Sequence, residues 1–158
     1  MSRAFVKEDD AAPPPPPIER PVSSAPNLVT PRGARLIDAE IEAIERRIEE
    51  AADEDEAAPL RRDLRYWLAR RASARLTPHE PRPRAAGFGT RVAIRREGKE
   101  SEIEIVGEDE ADPDEGRIAW TSPLARALDE AEPGDVVELE AGGRLVPVEL
   151  LAVRGGGD

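Results

Sequence analysis

Apolar residues recur at helical spacing in two runs between residues 32 and 76. The first run is Ile37, Ile41, Ile44 and Ile48. The second run is Leu60, Leu64, Trp67 and Leu68. Spacings of i, i+4, i+7 and i+11 put the first run on one side of a helix as a narrow stripe. A stripe this narrow is typical of coiled-coil pairing, so the two runs predict an antiparallel helical hairpin.

Helix-start signals set the expected ends of the two arms. Thr30 is a suitable cap, and Pro31 then takes the first helical position, where its missing N–H leaves nothing unpaired. The first arm is expected to end near Ala52, and the acidic stretch 53–58 is expected to be the tip. Pro59 is again placed where a helix begins, so the second arm is predicted to run to about Leu76. Arms of about 20 residues make a rod roughly 30 Å long.

From Gly87 onward the apolar period changes from that of a helix to that of a strand. Apolar residues alternate with polar ones at Val92 and Ile94, Ile103 and Ile105, Ile118 and Trp120, Val137 and Leu139, and Val146, Val148 and Leu150. Ser122 and Pro123 are typical of a helix start and predict a short helix over 124–131. The predicted fold is therefore α+β, a helical hairpin followed by a mostly antiparallel sheet with one short helix.

Proline and glycine mark the segments between and beyond these units. Residues 1–29 contain five consecutive prolines, Pro13–Pro17, and predict a disordered tail, either a docking peptide for a proline-binding module or a stiff solvated segment. The hairpin occupies 30–76, a proline-bearing linker 77–86, and the sheet domain 87–153. Residues 154–158 are predicted to be a flexible glycine-rich end.

Charge and composition narrow the classes of function. The net charge of −11 falls almost wholly on residues 87–158, which carry 8 basic and 18 acidic side chains. Such a domain repels free nucleic acid, so nucleic acid is expected only indirectly, within a larger complex. The absence of cysteine excludes disulfides and thiol catalysis. No apolar run approaches the ~20 residues that span a bilayer, so a cytoplasmic protein without membrane contact is expected.

The second arm is strongly basic, with six arginines and one acid. The arginines are Arg61, Arg62, Arg65, Arg70, Arg71 and Arg75. They either pair with the acidic first arm to fix the register of the hairpin, or some of them, with Arg61, Arg62 and Arg65 as candidates, lie near RNA. His79, the single histidine, has no neighbouring ligand or nucleophile in the sequence, and no catalytic role is assigned to it.

Several motifs in the second half occur in a specific order. They are Phe88-Gly89, the run Ile105–Asp112 (IVGEDEAD), the run Ser122–Leu128 (SPLARAL), and Gly134-Asp135. With Thr30, Gly33, Glu40 and Ile41 at the start of the first arm, they make residues 28–153 resemble the Gre-type bacterial transcription elongation (transcript cleavage) factors, GreA and GreB. The resemblance implies an FKBP-like fold for the sheet domain.

The resemblance also implies a mechanism. Members of this family bind RNA polymerase at its secondary channel and insert the hairpin, whose acidic tip helps the polymerase hold Mg²⁺ and cut backtracked RNA. Such a factor is not itself an enzyme and has no cofactor or metal of its own. Thr121, Ser122, Pro123 and Leu124 match the loop that contacts the polymerase. Trp120 is either an exposed anchor beside that loop or a core residue. Acidic charge is also expected near this surface, where it either contacts a partner or only solvates a loop; the acids are Glu108, Asp109, Glu110 and Asp112.

The tip departs from the family pattern. The motif G-D-L-x-E-N followed by a tyrosine is missing, and if Tyr66 is aligned with that tyrosine, the two acids fall on Pro59 and Arg62. The hairpin is also shorter than in cleavage-competent members. The cluster Asp53, Glu54, Asp55 and Glu56 either replaces the motif out of register or is a solvated loop.

These observations predict a monomeric regulator of RNA polymerase with weak or no stimulation of transcript cleavage. One alternative is a cleavage-competent factor that uses the four tip acids. An alternative from another class is an FKBP-like prolyl isomerase, and a third is a hairpin interaction module without a link to the polymerase.

Overall fold

The computed structural model describes Pro13 and residues 15–157. The predictions for residues 1–12, Pro14 and Asp158 lie outside this part of the chain. The helices are α1 (Pro31–Glu50), α2 (Glu54–Ser73) and α3 (Pro123–Leu128). The strands are β1 (Leu28–Val29), β2 (Arg75–Leu76), β3 (Thr90–Arg96), β4 (Lys99–Val106), β5 (Arg117–Ala119), β6 (Val136–Ala141) and β7 (Arg144–Gly155). Two short 3₁₀ turns, Glu108–Glu110 and Pro113–Glu115, lie between β4 and β5.

The predicted helical hairpin is present as α1 and α2. Thr30 caps α1 as expected, its Oγ1 accepting a hydrogen bond from the backbone N–H of Gly33 at 3.0 Å. The start of α2 differs from the prediction, because the helix begins at Glu54 and Pro59 lies inside it. Asp53 caps this helix, so only residues 51–53 connect the arms. Most of the acidic stretch expected to be a non-helical tip therefore forms the first turn of α2.

The apolar stripes meet along the hairpin, with one change from the prediction. Ile37, Ile41, Ile44, Leu60 and Trp67 are buried together, with Ile48 and Leu64 packed against them. Leu68, predicted to belong to the stripe, is 36% exposed, while Arg70 is only 1% exposed. The helical spacing continues from Trp67 to Arg70 rather than to Leu68, so a charged residue occupies the last buried position of the stripe.

The second domain, residues 87–155, is here called the head. It is built on a five-stranded sheet in the order β5-β4-β3-β7-β6. Most neighbours are antiparallel as predicted, but β5 is parallel to β4, with Ile105 opposite Ile118. The sheet is therefore mixed and not wholly antiparallel. The ten residues between these strands contain both 3₁₀ turns, which carry the chain back so that β5 enters in the direction of β4.

One face of the sheet is covered by α3, and the head has its own core. Val92, Ile94, Val148, Leu150 and Leu128 are each at most 2% exposed within it. Helix α3 ends at Leu128, three residues before the predicted end, and Ser122 caps it through its Oγ and the N–H of Ala125 at 3.4 Å. The α+β class predicted from the sequence is confirmed.

The hairpin begins earlier than the predicted boundary at residue 30. Strand β1 pairs in parallel with β2, Leu28 lying opposite Arg75, so these residues close the base of the hairpin. Asn27, 5% exposed, donates from Nδ2 to the carbonyl oxygen of Arg70 at 2.7 Å. Within the described residues, no helix is both long and apolar enough to cross a membrane.

Candidate functional site

The four acids at the tip are held in different ways. Asp53 Oδ1 accepts a hydrogen bond from the N–H of Glu56 at 3.0 Å, and Glu56 Oε2 accepts one from the N–H of Ala52 at 2.9 Å. This reciprocal arrangement is a capping box, which satisfies N–H groups that the helix leaves unpaired. Glu54 forms an ion pair with Arg61, about two helical turns further along α2. Two of the four acids are thus used to start α2, and a third is paired.

The tip does not form a metal site on its own. Within the described residues, no group of three or more histidines, aspartates or glutamates is arranged to hold a metal ion. All four tip acids are exposed. Any Mg²⁺ bound there would need additional ligands from a partner.

The basic side chains of α2 have partners outside the tip as well. Arg65 pairs with Glu19 at 2.5 Å, and Arg71 lies 3.9 Å from Asp38 on the opposite arm. The Arg71–Asp38 contact is of the type predicted to fix the register, but at this distance and exposure it is a weak one. Arg62 is half-buried on the same helix.

Tyr66 lies at the base of the hairpin and not at its tip. It is 12 residues beyond Glu54, so about 18 Å of helix separates it from the start of α2. Its hydroxyl donates a hydrogen bond to Oδ1 of Asp109 in the head. Burial, together with this hydrogen bond and the charge of Asp109, raises the pKa of Tyr66 from 10.0 to about 12. The alignment of Tyr66 with the tyrosine of the family's tip motif, in which the motif's two acidic positions fall on Pro59 and Arg62, therefore does not fit the structure.

An ionic cluster joins the base of the hairpin to the head. Arg70 Nε lies 2.5 Å from Oδ2 of Asp109, and both side chains are at most 5% exposed. Glu110 accepts from Thr30 Oγ1 at 2.5 Å and from Arg32 Nε at 2.6 Å. A Cβ on Gly33 would lie 2.8 Å from Glu110 Oε2, so glycine allows this approach.

The cluster extends to a second carboxylate of the sheet. Glu104, 4% exposed, lies 3.0 Å from Arg91 Nη2 and 3.3 Å from Arg32 Nη2. Burial alone would raise the pKa of Glu104, but the hydrogen bonds and charges of Arg91 and Arg32 outweigh it and lower the pKa. The sequence left open whether the acids of 108–112 contact a partner; three of them, Glu108, Asp109 and Glu110, bind the hairpin. The signal that could have found this is Arg70 on a buried stripe, since a buried arginine requires a buried acid.

The loop predicted to contact a partner, residues 120–124, touches the acidic turn of the head, Glu108–Glu110. Thr121 Oγ1 donates to Oε1 of Glu108 at 3.1 Å. Pro123 is exposed, while Ser122, Leu124 and Trp120 are half-buried. The structure brings these five residues together in one surface, with Ser122 held as the cap of α3.

A pocket of about 370 Å³ opens beside this loop. It is lined by Leu28, Gly87, Phe88, Ile105, Trp120, Ala125, Arg126 and Asp129. The indole Nε1 of Trp120 is buried and has no hydrogen-bond partner within the described residues. Trp120 is therefore neither a full core residue nor a free surface anchor, but part of a pocket wall.

Comparison with known proteins assigns the head. Residues 81–155 match the family model described as transcription elongation factor, GreA/GreB, C-terminal domain. The match covers just under half of the chain and assigns a Gre-type C-terminal domain to this part of it. The Gre-type resemblance seen in the IVGEDEAD and SPLARAL runs is thereby confirmed.

Curated relatives of this Gre-type domain agree with the assignment. The chain is 48% identical over 69 residues to transcription elongation factor GreA of Thioalkalivibrio sulfidiphilus, covering 42% of this chain and 44% of that protein. It is 42% identical over 68 residues to transcription elongation factor GreB of Neisseria meningitidis, covering 42% of each. The chain thus spans less than half the length of these relatives.

Solved structures similar to the chain come from the same group. They include the GreA factor homologue Gfh1 of Thermus thermophilus, with 17% identity, a TM-score of 0.41, and coverage of 83% of this chain and 100% of that one. A GreA/GreB factor from Nitrosomonas europaea has 20% identity, a TM-score of 0.40, and coverage of 82% and 98%. At these scores the structural likeness adds nothing to the assignment.

Proposed function

We propose that the chain is a regulator of bacterial RNA polymerase that docks at the secondary channel through its Gre-type head and presents the hairpin to the channel. The observation that carries this proposal is the surface of residues 120–124 on a domain of the GreA/GreB family. The exposed Pro123, beside a pocket whose wall includes Trp120, offers the apolar contact that a docking surface needs. The head makes the contact, and the hairpin acts as the inserted arm.

The hairpin contributes occupancy of the channel and not metal ligands for RNA cleavage. Asp53 and Glu56 are engaged in capping α2, and Glu54 is paired with Arg61. A carboxylate that recruits Mg²⁺ must offer its oxygen atoms to the ion, which competes with these bonds. The protein is accordingly an accessory factor that competes with cleavage factors for the channel.

Binding to core RNA polymerase tests the docking surface. Pro123→Ala should weaken binding about tenfold, a loss of about 1.4 kcal/mol, because it removes the exposed ring at the centre of the surface. Pro133→Ala is the matched control, since Pro133 is also an exposed proline of the head but lies in a different turn. Equal affinity of the Pro123→Ala variant and the parent would contradict the proposed surface.

A transcript-cleavage assay on stalled complexes tests the role of the tip. We expect the parent protein to give no more cleavage than polymerase alone. Stimulated cleavage that is lost in Asp55→Asn, an exposed position not used in the capping box, would establish the cleavage-competent alternative instead. Asp53→Asn serves as the comparison, since its effect on helix stability can be measured separately.

A second candidate function, prolyl isomerisation, has one observation in its favour. The head pocket contains Phe88 and Trp120, the two aromatic residues of the head. The same pocket is lined by charged Arg126 and Asp129, whereas a site for a proline ring is predominantly apolar and aromatic. We expect no turnover of a proline peptide, and turnover abolished by Trp120→Ala would revive this alternative.

A further inference from the structure

The segment ahead of β1, residues 18–27, has no helix or strand of its own, lies against α2 and is here called the strap. Glu19 accepts two hydrogen bonds from Arg65, at 2.5 Å from Nη2 and 3.2 Å from Nε. The guanidinium carbon of Arg20 lies 3.7 Å from the centre of the Tyr66 ring and 5.3 Å from that of Trp67. The strap therefore makes both charged and cation–π contacts with one side of the helix.

The part of α2 that receives the strap is formed by Arg65 and Tyr66, backed by Trp67 of the buried hairpin core, and is here called the α2 flank. The two rings meet edge to face, with centres 5.3 Å apart and planes at 82°. A cation over such a pair is attracted by the negative faces of the rings. The α2 flank thus has the properties of a recognition surface for a peptide with neighbouring acidic and arginine side chains.

The order of contacts gives the direction of the strap. Glu19 lies at Arg65, while Asn27 hydrogen-bonds the carbonyl of Arg70 at 2.7 Å and Ser73 Oγ at 3.1 Å. Later residues of the strap thus contact later residues of α2, so the strap runs parallel to the helix. Its N-terminal end is the end nearer the tip, and it follows the helix over about 12 Å, the rise of eight residues.

The two ends of the strap are held with different strengths. Asn27 is buried, whereas Ile18 is 92% exposed and the Glu19–Arg65 pair is 57% exposed on both sides. Ion pairs and cation–π contacts at exposed sites are individually weak. The outer part of the strap can therefore leave the helix while Asn27 remains in place as a hinge.

The strap also touches the acidic turn of the head. Ser23 Oγ donates to Oε1 of Glu108 at 3.0 Å, and the same oxygen accepts from Thr121 at 3.1 Å. The strap and the proposed docking loop thus share one acceptor. A change in one contact will alter the strength of the other.

From these contacts we propose that the α2 flank is a peptide-binding surface occupied reversibly by the chain's own strap, which must leave before a partner can enclose the hairpin. The second part rests on the proposed function, because it concerns entry of the hairpin into a channel. A chain segment on one side of a helix adds roughly 5 Å or more to the width of the hairpin, by analogy with the spacing of paired strands. The docked strap would then reduce affinity for a narrow channel.

Distance measurement between spin labels tests the docked state of the strap. The chain has no cysteine, so Ile18→Cys with Asp55→Cys places one label on the strap and one at the tip. The parent pair should give a single narrow distance distribution, and adding Glu19→Ala and Arg20→Ala should broaden it. Removing the exposed Arg144–Glu97 pair of the head by Arg144→Ala and Glu97→Ala is the matched control and should change nothing. A broad distribution in the parent, or a narrow one in the Glu19/Arg20 variant, would overturn the proposal.

Polymerase affinity tests the consequence. The Glu19→Ala, Arg20→Ala variant should bind about fivefold more tightly than the parent, the change expected from losing contacts of this weak class. Equal affinity would overturn the gating part while leaving the docking function intact. If the parent does not bind polymerase at all, the proposed function fails, and the spin-label distances still decide whether the strap occupies the α2 flank.

Discussion

Arg70 is a buried cation at the base of the hairpin, and its surroundings explain the state of its neighbours. Its side chain is 1% exposed and lies against Asp109, which also accepts a hydrogen bond from the hydroxyl of Tyr66. A buried charge without a partner is strongly destabilising, so the pair must form for the base to close. The negative charge of the Asp109 carboxylate in turn disfavours ionisation of the Tyr66 phenol.

Titration of Tyr66 tests this arrangement directly. Its pKa is raised from 10.0 to about 12 by burial and by Asp109. A group with a raised pKa in the folded state contributes stability that is present below its unfolded pKa and lost as pH rises through the folded value. Stability should therefore fall as the pH increases from about 10 to about 12. Because the chain has a single tyrosine, near-ultraviolet phenolate absorbance reports this group alone.

The control for that titration is Asp109→Asn. This change removes the negative charge and should move the phenolate midpoint down toward the ordinary value, as should unfolding the parent in urea. A midpoint near 10.0 in the folded parent would show that Tyr66 does not lie against Asp109.

At the level of elements, local sequence patterns predict where helices and strands lie better than they predict which elements pair. The stripe of Ile37, Ile41 and Ile44 correctly gave α1, and Ser122-Pro123 gave the start of α3. The predicted start of α2 at Pro59 is wrong, because the helix begins five residues earlier, at Glu54. Asp53 with Glu56 three positions later is a stronger start signal, because it satisfies two backbone N–H groups, whereas Pro59 removes only one donor.

Strand order was not predictable from the same patterns. Alternation assigns a residue to a face of a sheet but does not identify the neighbouring strand. The parallel pairing of β5 with β4 depends on the path of the intervening turns, which no periodicity encodes. The two-part architecture could thus be predicted from the sequence, while the mixed character of the sheet could not.

Substitution of the α2 cap tests the reassigned tip. Asp53→Ala should lower the free energy of unfolding by about 1 kcal/mol, because the N–H of Glu56 loses its acceptor. Asp55→Ala is the control: it removes an equal charge from the same exposed turn, where an acid at a helix N-terminus contributes at most about 0.3–1 kcal/mol through the dipole. Urea denaturation followed by circular dichroism measures both. A larger loss for Asp55→Ala than for Asp53→Ala would mean that α2 does not begin at the observed residue.

On the scale of the whole molecule, the hairpin and the head are joined by contacts that are distant in sequence. Thr30 and Glu110 are 80 residues apart, and Arg70 and Asp109 are 39 apart. The resemblance to Gre-type factors predicted both units, and Glu108, Asp109 and Glu110 were recognised as acids near the docking surface. Their partners could not be predicted, because a charge on a loop gives no sign of which distant helix it will meet. The sequence therefore identifies the residues of the candidate site, but not the contacts that join them to the hairpin.

Gly107 offers a direct test of that attachment. It precedes the acidic turn with φ −67°, a value any residue adopts, yet a Cβ there would lie 2.6 Å from the carbonyl oxygen of Leu28. Gly107→Ala should therefore push β1 away from the head and lower the free energy of unfolding by about 1–3 kcal/mol. Labels at Glu49→Cys on the hairpin and Glu138→Cys on the head should show a broadened distance distribution. Gly87→Ala, whose Cβ would meet its nearest atom at an ordinary 3.7 Å, should leave stability and distances unchanged. If Gly107→Ala matches that control in both measurements, the base contacts do not set the angle at which the hairpin leaves the head.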